Sequence, residues 1–148
     1  MTQEVPKFEP DGLRKLRAYQ LAKELAHLVY ETTSEFPRSE FRLVGQMRGA
    51  AVSVFGNIAE GYSRSALGDY IRFCEIARGS LAELGSYIEF CQERKMLKPA
   101  DETRLLDLYN HTWNTLGALL RSLRKKKLDC SWDRSYMAVR EDEELYDA

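Results

Sequence analysis

Two short stretches hold residues that could do chemistry. Glu24-Leu-Ala-His27 puts a carboxylate and an imidazole three residues apart, which is one helical turn. A dinuclear metal centre in a helical bundle needs that spacing on two helices, plus a carboxylate from each of two others. The second histidine, His111, has Leu108 at the matching position, so only half of such a site is present. The bland reading, a solvated helix face, is preferred, and no metal or cofactor is expected. The other stretch, residues 56–65, reads GNIAEGYSRS. Asn57 and Glu60 are ligand-binding types, and two glycines bracket them. The spacing fits neither GxGxxG nor GxxxxGK[ST], and no strand precedes it, so a phosphate loop is not indicated. No GxSxG is present, and two histidines on separate helices leave a serine or cysteine nucleophile without an evident base. No catalytic residue is assigned.

A third group is electrostatic. Arg121, Arg124, Lys125, Lys126 and Lys127 crowd seven positions at the end of the last helical pattern. Cations there stabilise a helix through its dipole. They also attract phosphates by Coulomb forces and counterion release. Helix-end solvation and nucleic-acid contact weigh equally from these residues alone. Arg42, Arg48, Arg64, Arg72 and Arg78 are dispersed over the two preceding helices and could join the patch or pair with acids. Of these, Arg48 is assigned to the nucleic-acid surface with the cluster.

The elements that carry these residues are helices. Apolar residues step by three and four in four runs: Ala18–Thr32, Val44–Ile58, Tyr70–Cys91 and Leu105–Leu123. That spacing places one stripe on one helix face. No segment alternates with period two long enough to indicate a sheet. Pro37 and Lys98-Pro99 separate neighbouring runs. Gly61 is expected as the left-handed residue that stops the second helix, and Ser39, Ser63 or Ser65 as caps. Short connections make neighbours antiparallel, which predicts an all-α, up-down-up-down four-helix bundle. Under this reading Asn57 and Glu60, with Gly61, form a structural corner, linked to turn backbone or to Ser80. Gly79-Ser80 is read as a place where helices approach closely. A second apolar stripe on each helix (Phe55, Ile76 and Trp113 among its members) suggests a surface reserved for another copy.

Totals bound the rest. The 148 residues fit one domain, 13–128, preceded by a loose arm, 1–12, and followed by an acidic tail, 129–148. Seven acids and two bases give the tail a charge of −5, so in a chain of net −1 the rest, residues 1–128, carries +4. The tail could compete with a polyanion for the basic cluster. Three cysteines without CxxC spacing argue against a disulfide framework and fit a reducing cytoplasm. Neither a signal peptide nor a membrane span is visible.

Several motifs occur together in a fixed order. They are Tyr19-Gln20, Phe36-Pro37-x-x-Glu40, Gln46-Met-Arg48, Ala50-Ala51-Val52-Ser53, Asn57-Ile-Ala-Glu-Gly61, and Arg72-Phe73 with Ile76-Ala77-x-Gly79-Ser80-Leu81-x-Glu83-Leu84. Over residues 13–125 the chain resembles the 23S rRNA intervening-sequence proteins, a family that includes the accessory variability proteins of diversity-generating retroelements. It departs at Gly49, where a second base is common, and at Phe55-Gly56, where a proline or small residue is common. The resemblance implies four-helix protomers closed into a ring, a homopentamer, with no enzymatic activity. For the retroelement members it implies nucleic-acid binding and a reverse-transcriptase partner. The rival expectation is a protein-interaction module that binds no nucleic acid.

Overall fold

A computed structural model of the chain describes residues 9–130. Residues 1–8 of the expected arm and 131–148 of the expected tail lie outside the described residues. Five helices follow in order: α1 Asp11–Lys15, α2 Arg17–Thr33, α3 Phe41–Ser63, α4 Leu67–Glu93 and α5 Pro99–Leu128. No strand occurs among the described residues. The four long helices contact one another as a closed square, α2 on α3, α3 on α4, α4 on α5 and α5 on α2.

The antiparallel register is legible in individual contacts. Cys91 Sγ lies 3.7 Å from Met47 Sδ, and the Ser53 and Ser80 hydroxyls are 2.8 Å apart. Each pair adds to nearly the same sum of residue numbers, as antiparallel neighbours must. The three–four stripes fill the centre: Leu25, Met47, Ile58, Leu84, Leu105 and Leu116 are all at most 1% exposed. Burial of a Leu or Ile side chain contributes about 1.5–3 kcal/mol, so these stripes dominate the stability of the fold. Thr32, Thr33 and Thr112 are buried too, and their hydroxyls donate to the carbonyls of Leu28, Val29 and Leu108, four residues back. A buried hydroxyl is tolerated in a helix when it bonds back in this way.

Helix ends differ from the sequence expectation in instructive ways. Gly61 does not stop α3, which runs on to Ser63 with Gly61 in helical conformation. Its reason is space. A Cβ there would stand 2.9 Å from Phe73 Cβ and 3.1 Å from the Tyr70 carbonyl of α4. Ser39, Ser63 and Ser65 are not the N-cap residues, because a 3-10 turn, Arg38–Glu40, leads into α3 and Ala66 directly precedes α4. The Ser63 hydroxyl donates instead to the Glu60 carbonyl at 2.7 Å. Pro99 does open α5, with Asp101 and Glu102 in its first turn, where its dipole favours acids. Lys95, at φ 55°, ends α4 in the left-handed region, and the Met96 N–H reaches the Cys91 carbonyl at 2.9 Å. The arm, expected to be loose up to residue 12, already turns helical at Asp11. Leu13 packs into the core, and the Glu9 carboxylate accepts hydrogen bonds from Tyr19 and from Lys23 Nζ. Among the described residues no helix is long and apolar enough to cross a membrane.

Candidate nucleic-acid interface

α5 carries its bases to the end of the bundle where α3 finishes and α4 begins. Lys127 Nζ stands 3.8 Å from the position of a Cβ on Gly68, which is in the first turn of α4. Two further cations share this end. Arg64, just after α3, and Arg72, in α4, hold their guanidinium groups 5.1 and 4.7 Å from the centre of the Phe73 ring. A guanidinium over an aromatic face is attracted by the ring quadrupole and keeps its charge. Seven bases (Arg64, Arg72, Arg121, Arg124, Lys125, Lys126, Lys127) therefore gather near four acids (Glu60, Asp69, Glu75, Asp129).

Not every base here is uncommitted. Arg124 donates to Glu75 at 2.7 Å, and Arg64 to Glu60 at 2.5 Å. Both pairs are exposed, so solvent weakens them. Arg121 and Lys126 also engage neighbours within the chain. Lys125 and Lys127 are exposed and sit in the last turn of α5. The dipole of that helix end and the protein's own acids hold part of the cluster. The remaining charge faces outwards.

Arg48 does not reach this surface. It lies towards the other end of the bundle, over the Tyr30 ring at 4.4 Å, and donates to the Thr33 hydroxyl at 3.1 Å and the Tyr30 carbonyl at 3.3 Å. It ties α3 to the C-terminal turn of α2, adding a second donor to the Tyr30 carbonyl that already accepts the Ser34 N–H at 3.1 Å.

The corner residues also divide. Asn57 Nδ2 donates to the Ser53 carbonyl at 2.8 Å and to the Ser53 hydroxyl at 2.9 Å, and that hydroxyl bonds to Ser80. The expected link to Ser80 is thus made through Ser53, a residue not singled out from the sequence. Glu60 takes no part in this chain of bonds and pairs with Arg64. Gly61 lies two turns from Ser53 and seats Phe73. Gly79 is exposed with open space about it, so close approach within this bundle does not explain it.

Sequence reasoning missed a second convergence. Glu24, His27 and Glu31 of α2 face Arg104, Asp107 and His111 of α5 across an open trough of about 470 Å³. The signal was available: each triplet steps by three and four, and the antiparallel register brings the two together. Arg104 lies 3.5 Å from Glu31 and 3.8 Å from Asp101. Among the described residues no three His, Cys, Asp or Glu side chains are placed to share a metal. The two buried cysteines, Cys74 and Cys91, offer no nucleophile either. Burial pushes the Cys74 thiol up to about 12 and the Cys91 thiol to about 11, so both stay protonated at neutral pH.

A family model described as the 23S rRNA-intervening sequence protein matches residues 14–118, well over half of the chain. The match takes in Arg48, the corner residues and both sides of the trough. It stops short of the cluster at 121–127. No curated protein matches.

Proposed function

The chain belongs to the 23S rRNA-intervening sequence protein family, and from that premise we propose that it is a nucleic-acid-binding protein, not an enzyme. RNA is the first ligand to test, since the family takes its description from an rRNA insertion. The observation that supports this most directly is the joining of the α5 cluster to Arg64 and Arg72 around Phe73 at one end of the bundle. A patch of this kind offers point charges to phosphates. The protomer is proposed to assemble into a homopentamer and to serve, in the cytoplasm, as accessory to a reverse transcriptase or to an rRNA insertion, as its retroelement resemblance implies. Exposed Tyr30, Ile76, Phe90 and Trp113 support assembly. They equally suit the second reading, a module that binds protein only.

Fluorescence anisotropy with a labelled single-stranded RNA separates the two. The full chain is expected to bind at low salt, and Arg72→Glu with Lys125→Glu and Lys127→Glu to abolish binding while helicity is unchanged. Removal of residues 129–148 should raise affinity if the acidic tail competes for the patch. Absence of binding at low salt, even with the tail removed, would select the protein-only module.

A further inference from the structure

Between α2 and α3 runs an apolar groove of about 250 Å³ lined by Lys23, Ala26, His27, Tyr30, Val52 and Phe55. Tyr30 and Val52 are 45% and 40% exposed. Its rim carries Lys23, which pairs with Glu9 at 2.7 Å, and Arg48, which lies over the Tyr30 ring, and Arg42 is exposed further along α3, so bases on α3 give this side its positive character. The outward edge of α4 has the opposite character. Ile76 and Phe90 are 43% and 48% exposed, and Glu83, Glu89 and Glu93 are exposed beside them. α3 carries two bases and one acid, whereas α4 carries five acids and two bases.

The two surfaces also stand at similar heights. The Ser53–Ser80 contact sets Val52 and Phe55 level with Leu81 and Arg78 of α4, within about two turns of Ile76 along the bundle axis. α3 separates them, so they cannot meet within one protomer. Two grooves facing each other would bring positive side to positive side. Groove against α4 edge pairs opposite charges instead.

We propose that the α2/α3 groove of one copy receives the outward edge of α4 of a second copy, centred on Ile76. This rests on the assembly reading above and makes the contact heterologous, the type that propagates into a ring or a filament. Gly49, one turn from Val52 with open space where a Cβ would stand, leaves the α3 backbone open to the incoming helix.

Light scattering after gel filtration tests this, with helicity measured alongside. The wild-type chain should be assembled. Val52→Asp alone and Ile76→Asp alone should each be folded monomers. Mixed one to one, they should form a dimer, because the first retains an intact α4 edge and the second an intact groove. Gly49→Gln provides a groove-side variant at an exposed site, should Val52→Asp lose helicity, and is expected to be monomeric too. A monomeric wild-type chain would overturn both the assembly reading and this contact. Variants that keep the wild-type mass would overturn the contact alone, leaving assembly in place and the groove to another occupant. Monomeric variants that do not pair on mixing would show a contact of like surfaces and overturn the heterologous arrangement.

Discussion

The α3/α4 seam and the α2/α5 seam join helices of the same bundle by different means. α3 and α4 touch backbone to side chain at Gly61, share a hydroxyl pair at Ser53 and Ser80, and bring Met47 against Cys91. α2 and α5 part into a trough whose walls are Glu24, His27, Glu31, Arg104, Asp107 and His111. Charged residues that cannot be buried without partners keep that seam open to water. Ser53, Asn57, Gly61 and Ser80, all within the span the family model matches, lie along the closed seam.

The comparison breaks first at Gly61. Gly61→Val must displace Phe73 and the Tyr70 backbone, and overpacking of this kind should cost about 2–3 kcal/mol in chemical denaturation. A loss below about 0.5 kcal/mol would mean the seam yields.

Alkaline pH probes the bundle core through Cys74 of α4, which is fully buried. Its thiol stays protonated in the folded state up to about 12, against an ordinary value near 9. The unfolded chain therefore releases this proton first. The contribution is fully present below about pH 9 and is lost as pH rises towards 12, at up to about 1.4 kcal/mol per pH unit for one group. Cys74→Ala should flatten that slope in urea titrations from about pH 9 to about pH 11.

Asn57→Ala removes the donor that ties Ser53, and through it Ser80, to the corner. A loss of about 1 kcal/mol is expected, with nucleic-acid affinity unchanged. Altered affinity with unchanged stability would return Asn57 to a ligand-binding role. At the open seam the effect should be smallest. Arg104→Ala breaks only long pairs with Glu31 and Asp101, at 3.5 and 3.8 Å, from an exposed base, and its thermal midpoint should shift by no more than about 0.5 kcal/mol implies.

Much of the fold was legible because helical periodicity is a strong signal. Every stripe position from Ala18 to Thr32 and from Tyr70 to Cys91 is buried. Gly61 was found but misread, since a left-handed stop and a close helix approach both demand glycine. The serine caps failed because Ser63 and Ser65 have a competing local use or lie one residue early, and sequence does not weigh these. Arg48 looked like any other surface base. Only the fold shows that it spends its donors on the end of α2. The His27–His111 trough and the meeting of Arg72 with Lys127's helix end depend on register between helices, which no single helix encodes.

The central claim is that the outward cations of the bundle end bind nucleic acid. The slope of log affinity against log salt for a single-stranded RNA measures it most directly. Each phosphate contact contributes about −0.7 to that slope, so Lys125→Gln with Lys127→Gln should make it shallower by about 1.4. A slope unaltered by these two changes, or a wild-type affinity indifferent to salt, would contradict the assignment.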